Sequence, residues 1–133
     1  MLLIDVDDFK QYNDRNGHDA GNVALAAVGH LLIEAVPEYE SPIRYGGEEF
    51  VVILPHTDSN NAYILAERLR EAAEKMTTDY HDEVISWTVS IGLASLEQDW
   101  DVPVDEWLER ADTALYKAKD SGRNRVVISQ PEA

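Results

Sequence analysis

Apolar runs and regular apolar spacing divide the first third of the chain into a strand and a long helical region. The run Leu2–Val6 is apolar apart from one aspartate, which predicts a buried first strand. A helix is expected to follow, to break near residues 16–17 and to resume over about residues 20–35. The resumed helix is apolar nearly all round, which predicts deep burial, and Pro37 is expected to end it.

The rest of the chain alternates between strand-like and helix-like patterns. A hairpin is predicted over residues 43–54, and Asp58 or Ser59 is expected to cap the helix that follows it. The remaining predicted elements are that helix over residues 62–76, a strand over residues 86–93, a helix over residues 108–118 and a strand over residues 126–128. The order βαββαβαβ predicts a single α/β domain, in which helices flank a largely antiparallel sheet.

The hairpin carries the most distinctive motif of the chain. Residues 44–50 read Arg-Tyr-Gly-Gly-Glu-Glu-Phe, so a tight turn places Glu48 and Glu49 side by side at its tip. The two glycines permit positive φ angles and leave room for a ligand to approach the backbone. Taken alone, such a short motif is more typical of a solvated hairpin tip than of a binding site.

A second acidic cluster follows the first strand and favours a binding site. Asp5 lies at the carboxyl end of the strand, where ligands of α/β sheets collect, and Asp7 and Asp8 follow it. If the strand lies beside the hairpin, Asp5 and Glu48 can share one divalent cation such as Mg²⁺, which prefers oxygen ligands. Lys10 is then placed to meet a phosphate. For Asp8 we favour a helix-capping role, because a helix is predicted to begin at the next residue.

Composition and charge narrow the classes of partner. The 133 residues carry a net charge of −15, which disfavours nucleic acid and acidic membrane surfaces. There is no cysteine, which excludes disulfides, a thiolate nucleophile and a Cys-based zinc site. No apolar run is long enough to span a bilayer and the N-terminus has no basic leader, so we expect a cytoplasmic protein. A local cluster of four basic residues indicates a small anionic ligand: Lys117, Lys119, Arg123 and Arg125. For Lys117 we favour a different interpretation, in which its charge interacts with the C-terminus of a helix.

Taken together, these motifs resemble the GGDEF domain, the catalytic domain of bacterial diguanylate cyclases. The resemblance covers the whole chain and is carried, in order, by residues 5–10, 12–14, 17–21, 44–50, 90–92, 111–112 and 116–124. It implies a ferredoxin-like fold related to the class III nucleotide cyclases. It also implies that two facing subunits of a homodimer, each holding one GTP, form the bacterial second messenger cyclic di-GMP and release two pyrophosphates.

The resemblance assigns the metal-binding and catalytic roles. It implies that Asp5, the Val6 carbonyl and Glu48 hold Mg²⁺, for which Mn²⁺ can substitute, against the triphosphate. Glu48 is also the implied proton acceptor, and Glu49 is implied to support the site. Lys10 is implied to stabilise charge on the phosphoryl group, as phosphoryl transfer requires.

The resemblance assigns the substrate-binding roles as well. The backbone amides of Asp8 and Phe9, at a helix start, are implied to cradle phosphates. Lys119 and Arg123 are implied to reach the terminal phosphates. Three residues are assigned to the guanosine, namely Asn13, Asn22 and His18. For the histidine, a loop or capping role is an equally good interpretation.

Three departures from the family pattern bear on these expectations. Asn22 stands where the family usually has aspartate, and an amide offers guanine one acceptor oxygen instead of two, which favours a weaker preference for guanine over adenine. Residues 37–40 read Pro-Glu-Tyr-Glu instead of the product-inhibition motif Arg-x-x-Asp, so the arginine that clamps cyclic di-GMP is missing. The helix that precedes the first strand in the family is absent, so we expect this chain to be part of a longer protein with an upstream sensor or regulatory domain.

Three functions remain open at this point. An active diguanylate cyclase is favoured, because Glu48, Glu49 and Lys10 are all present. The alternative is a weakly active or inactive module that binds GTP or a partner and acts as a regulatory domain, and the missing helix favours it. A cyclase of mixed purine specificity is the third, and it depends on Asn22. A cyclic di-GMP receptor is disfavoured by the missing clamp.

Overall fold

Seven strands and four helices make up the part of the chain that the computed structural model describes, which is residues 1–36, 42–81, 83–96 and 101–130. In chain order they are β1 (Leu2–Val6), α1 (Phe9–Asn16), α2 (His18–Ala35), β2 (Ile43–Arg44), β3 (Glu49–Val52), α3 (Ser59–Lys75), β4 (Thr77–Tyr80), β5 (Glu83–Ser86), β6 (Val89–Leu93), α4 (Val104–Asp120) and β7 (Val126–Ile128). None of these helices is long and apolar enough to cross a membrane.

The central sheet has five strands in the order β2-β3-β1-β6-β7. The middle strand β1 runs antiparallel to both neighbours, with Asp5 opposite Glu49 in β3 and opposite Ser90 in β6. At one edge, β7 runs parallel to β6. The prediction of a largely antiparallel sheet flanked by helices is therefore confirmed.

Helices cover both faces of the sheet, which explains why β1 is apolar on both sides. On one face, α2 and α3 contribute to a large core whose members from β1 are Leu2, Ile4 and Val6. On the other face, Leu3 packs with Leu115 of α4. Asp5 shares the face of Leu3, because side chains alternate along a strand. The register of β1 therefore directs Asp5 toward α4, the helix that carries Lys119.

A glycine in β6 allows α4 to lie directly on the sheet. A Cβ atom at Gly92 would lie 2.2 Å from the Ala111 carbonyl oxygen and 2.4 Å from the Leu115 nitrogen. Both are backbone atoms, so no side-chain rotation would relieve the clash. The close contact of α4 with β6 thus sets the position from which the last turn of α4 presents Lys119.

Most helix boundaries agree with the sequence. Gly17, with a φ of +93°, separates α1 from α2, and α2 begins directly after it, slightly earlier than predicted. The predicted cap of α3 is confirmed, since Asp58 accepts a 2.8 Å hydrogen bond from the Asn61 amide. Met76 follows α3 as its C-cap and does not lie within it, as had been predicted. The predicted helix stop at Pro37 lies outside the described residues.

A second sheet of two strands, β4 and β5, was not predicted. Residues 77–80 of β4 pair antiparallel with residues 83–86 of β5. The strand predicted over residues 86–93 consequently begins only at Val89. The alternating pattern continues through Trp87 although the chain passes there from one sheet to the other, because Trp87 is buried in the larger core. Periodicity alone does not mark such a transition.

Candidate active site

Three carboxylates and one lysine meet where β1 ends. Asp5 pairs with Glu49 across the sheet, and the Val6 amide donates a 3.2 Å hydrogen bond to the Glu48 carbonyl. Asp5 is 3% exposed, while the two glutamates are half-buried. From α4, the Lys119 ammonium donates to Asp5 Oδ2. Residues predicted separately from the first strand, the hairpin and the basic cluster thus lie together.

The electrostatics of this group are those of carboxylates deprived of water and crowded by like charge. Burial raises the pKa of Asp5 to about 6, Lys119 opposes the rise, and Glu48 and Glu49 add to it. Burial also raises the pKa of Glu48, with Lys119 opposing and Glu49 adding. A bound cation would favour the ionised form of both groups.

The buried carboxylate of Asp5 has an oxygen that suits a metal ion. Its Oδ1 atom is buried and has no hydrogen-bond partner among the described residues. Such orphaned atoms are rare in folded proteins and call for a partner such as an ion. In the described ranges no three His, Cys, Asp or Glu side chains are grouped as a complete metal site. The arrangement therefore fits Mg²⁺, which commonly takes one or two carboxylates and completes its shell with phosphate and water oxygens.

The hairpin that carries Glu48 is shaped by an arginine. Arg44 donates to the carbonyl oxygens of Gly46 at 3.3 Å and Gly47 at 2.8 Å. The Tyr45 amide donates to the Glu49 carbonyl at 2.8 Å, which closes the turn. Neither glycine has a positive φ, so this turn does not use the left-handed conformation that glycine permits. A Cβ atom at Gly47 would meet nothing within 4 Å, so the space beside it is open to a ligand.

The start of α1 differs from the expected cap. Asp8 occupies the N-cap position with a φ of +54°, and its side chain makes no capping hydrogen bond. The prediction of a capping role is therefore wrong, because the Asp8 carboxylate instead pairs with Arg123, Oδ1 to Nε, at 3.2 Å. Phe9 follows at the helix start and its ring stacks on that of Tyr12, while Lys10 is exposed.

The residues expected to contact guanosine lie where α1 crosses α2. A Cβ atom at Gly21 would lie only 1.8 Å from Asn13 Oδ1, so the two helices touch there through the asparagine side chain. That oxygen is buried and has no hydrogen-bond partner among the described residues. Asn22 follows Gly21 and is exposed, as is His18, the first residue of α2.

Asp7 was predicted only as a member of the acidic cluster that follows the first strand, and the structure shows its specific partners. It is 7% exposed and accepts hydrogen bonds from the hydroxyls of Thr88 at 2.7 Å and Ser90 at 2.6 Å, and from the Asn124 amide at 3.0 Å. The only sequence signal was its spacing of two from Asp5, which predicts that the two side chains lie on the same side of an extended chain.

Sequence comparison finds relatives for nearly the whole chain. The profile of the family described as "Diguanylate cyclase, GGDEF domain" matches residues 1–125. Diguanylate cyclase A of Treponema denticola is 40% identical over 130 residues, which cover 98% of this chain and 35% of that protein. The response regulator PleD of Caulobacter vibrioides is 43% identical over 128 residues, which cover 95% of this chain and 28% of that protein. The chain thus spans only about a third of the length of these curated relatives.

Solved structures with the same fold include two of particular relevance. The GGDEF domain of DgcB from Caulobacter crescentus, in complex with c-di-GMP, has a TM-score of 0.91 at 30% identity and covers 98% of this chain and 77% of its own. The active GGEEF domain of a diguanylate cyclase from Vibrio cholerae has a TM-score of 0.88 at 34% identity, with coverage of 98% and 82%. The letters GGEEF are also those of residues 46–50 in the present hairpin.

Proposed function

Because this chain belongs to the GGDEF domain family, we propose that residues 1–133 form the catalytic domain of a diguanylate cyclase, which converts two GTP into cyclic di-GMP and two pyrophosphates. The observation that carries the proposal is the meeting of Asp5, Glu48, Glu49 and Lys119 at the end of β1. Carboxylates with raised pKa values beside a lysine are typical of functional sites and suit a metal-bound triphosphate. The Glu-Glu hairpin is also the form named in the active Vibrio cholerae domain.

The metal-binding residues in this proposal are Asp5, Glu48 and the carbonyl of Val6. GGDEF cyclases generally depend on a divalent metal, and the buried, unpaired Asp5 Oδ1 supports such a site here. When bound, Mg²⁺ supplies a positive charge that polarises the phosphoryl oxygens and neutralises charge on the leaving pyrophosphate. Mn²⁺ meets the same requirement for oxygen ligands.

The reaction needs a proton acceptor and positive charge from the protein. The 3′-hydroxyl oxygen of one GTP attacks the α-phosphorus of the other, the bond to the β-phosphate breaks, and pyrophosphate leaves. In this proposal Glu48 takes the hydroxyl proton, because an ionised carboxylate at this position can act as a general base. The phosphates are held by three basic side chains, those of Lys10, Lys119 and Arg123, and by the backbone amides of Asp8 and Phe9. Glu49 adds a second negative charge to the hairpin beside Glu48. Repeating the step on the second nucleotide closes the ring.

Base recognition in this proposal depends on asparagines. Asn13 and Asn22 lie on neighbouring helices, on either side of the contact at Gly21, and His18 is exposed nearby on α2. An amide matches guanine less fully than a carboxylate does, because its NH₂ group faces the guanine donors. We therefore propose GTP as the preferred substrate with reduced discrimination against ATP.

The partners follow from the stoichiometry of the reaction and from the relatives. Each domain holds one GTP, so a homodimer with two facing copies is needed to join two nucleotides. PleD is a response regulator and the match covers 28% of it, so we propose that this domain likewise works under an upstream regulatory domain. We propose the cytoplasm as its location, because GTP is available there.

The test is incubation of the chain with Mg²⁺ and GTP, alone or with ATP, and separation of the products by chromatography. The proposal predicts cyclic di-GMP and two pyrophosphates per product, with a smaller amount of mixed product when ATP is present. GTP binding by calorimetry without any product would contradict the cyclase and indicate the regulatory module.

A further inference from the structure

The turn after α4 has an unusual backbone. Gly122, Arg123 and Asn124 have consecutive positive φ angles of +125°, +64° and +46°. Glycine adopts this region freely, but side-chain-bearing residues do so at a cost and persist there only when the surroundings hold them. Two such residues in succession therefore need an explanation, and the contacts of Asn124 supply it.

The first support of the turn is the buried carboxylate of Asp7. Its Oδ2 atom accepts the Asn124 amide at 3.0 Å and the Thr88 hydroxyl at 2.7 Å, and its Oδ1 atom accepts the Ser90 hydroxyl at 2.6 Å. The Asp7 amide in turn donates to the Thr88 carbonyl at 2.9 Å. Asp7 thus links the turn to the start of β6 through charge-assisted hydrogen bonds.

The second support of the turn is Arg70 of α3. It donates to Asn124 Oδ1 at 3.1 Å, and Asn124 Nδ2 donates to Glu74 Oε2 at 3.2 Å. Arg70 is itself held by Glu67 at 3.0 Å and Glu74 at 2.9 Å, and its side chain is only 15% exposed. Both the backbone and the side chain of Asn124 are therefore fixed.

One residue of this turn and one residue before it contact the candidate active site. Arg123 pairs with Asp8 at the start of α1, and Lys119, one helical turn earlier, donates to Asp5. The Arg123 amide donates to the Ala118 carbonyl at 2.9 Å, which joins the turn to the last turn of α4. A shift of the turn would therefore move the cations relative to the carboxylates.

We propose that Asp7 and Arg70 are positioning residues, which hold Asn124 and so fix Arg123 and Lys119 for the phosphates of the nucleotide. The inference rests on the proposed function only in taking a nucleoside triphosphate as ligand. A purely structural role for these contacts would affect folding stability and leave nucleotide discrimination unchanged. A positioning role must change how strongly the site distinguishes a triphosphate from a monophosphate, because Arg123 and Lys119 are the proposed partners of the terminal phosphates, which a monophosphate lacks.

Asn124→Gly is the most direct variant. Glycine accepts a φ of +46° without strain, so the variant should keep the fold and the hydrogen bond from the backbone amide of residue 124 to Asp7. Both side-chain contacts with α3 are lost. Arg70→Gln removes the same link from the other side. Glu67→Gln is the matched control, because it alters a partner of Arg70 that does not contact Asn124.

Asp7→Ala removes the first support, and Asp7→Asn is its conservative rescue, since an amide oxygen can still accept the Asn124 amide while the NH₂ donates to Ser90.

The measurement is the ratio of dissociation constants for GMP and for a GTP analogue with a non-cleavable α,β bridge, obtained by calorimetry with Mg²⁺. We expect Asn124→Gly and Arg70→Gln each to reduce this ratio roughly tenfold, since small displacements of charged groups are costly. The double variant should lose no more than Asn124→Gly alone, because Asn124→Gly already removes the contact with Arg70. Glu67→Gln and Asp7→Asn should keep the ratio near that of the unaltered chain.

The outcomes separate this inference from the proposed function. An unchanged ratio in Asn124→Gly and Arg70→Gln, beside a reduced ratio in Arg123→Gln, would show that the turn contacts are structural only. An unaltered chain that binds both ligands equally, or an Arg123→Gln ratio equal to that of the unaltered chain, would overturn the inference as well. The expected ratios in a chain that forms no cyclic di-GMP would contradict the cyclase and support the positioning role.

Discussion

Asp5 has an environment that conflicts with its charge. It is almost fully buried, one of its oxygens has no partner among the described residues, and two glutamates lie nearby. Its pKa of about 6 lies above the ordinary value of 3.8. Without metal, this group stabilises the fold at low pH, and that contribution is lost as the pH rises through about 6. A cation offsets the loss by favouring the ionised carboxylate.

This conflict predicts a pH-dependent metal affinity. Binding requires an ionised carboxylate, so the affinity for Mn²⁺ without nucleotide should rise about tenfold from about pH 5 to about pH 7 and then level off. Electron paramagnetic resonance of free Mn²⁺ measures it. In Lys119→Met the pKa of Asp5 should be higher, because the lysine lowers it, and the rise should move to higher pH. A pH-independent affinity in the unaltered chain would rule out Asp5 as a ligand.

Asn22 allows the base assignment to be tested without disturbing the core, because its side chain is exposed. Asn22→Asp restores two acceptor oxygens toward guanine, and the gain in discrimination against adenine should be about 1–3 kcal/mol. We expect tighter GTP and weaker ATP, measured as the ratio of turnover efficiencies kcat/KM. The side chains are nearly isosteric, so packing stays the same. If both proteins give the same ratio, residue 22 does not read the base.

Elements differ in how much of their arrangement the sequence reveals. The buried strand, the carboxylate hairpin and the helices have local patterns, and all were predicted within a few residues. The partners of Asp7 are 81 to 117 residues away along the chain, so no local pattern could indicate them. The two-stranded sheet of β4 and β5 was missed because the alternation of residues 86–93 continues across the link between the two sheets.

The packing of α4 on β6 makes a prediction at the level of elements. Gly92→Ala should destabilise the protein by about 1–3 kcal/mol, because the new methyl group meets the backbone of α4. Gly29→Ala in α2 is the matched control: its methyl group has only an ordinary 3.9 Å contact with Phe50, and alanine should stabilise the helix by about 1 kcal/mol. Urea unfolding measures both. Equal effects of the two substitutions would show that Gly92 does not set the position of α4.

The fold brings the carboxylates and the cations of the candidate site together at one end of the central sheet. The middle strand β1 ends there, and the hairpin of β2 and β3 lies beside it. Lys119 of α4, the helix that packs on the sheet, donates a hydrogen bond to Asp5 at the same end. The chain has a net charge of −15, yet the basic residues Lys119 and Arg123 contact this end. The residue types of the site were predictable, whereas their pairings depended on the fold. The sequence Pro-Glu-Tyr-Glu at residues 37–40, which replaces the product-inhibition motif of the family, lies outside the described residues.

The central claim is that Glu48 serves a metal-dependent condensation of GTP, and one comparison tests it most directly. Glu48→Gln keeps the size of a half-buried side chain, so its melting temperature should stay close to that of the unaltered chain, but its formation of cyclic di-GMP from GTP and Mg²⁺ should fall at least about 100-fold. Glu34→Gln, on an exposed position of α2, is the control and should retain full turnover. A Glu48→Gln protein that forms cyclic di-GMP at the rate of the unaltered chain would contradict the account.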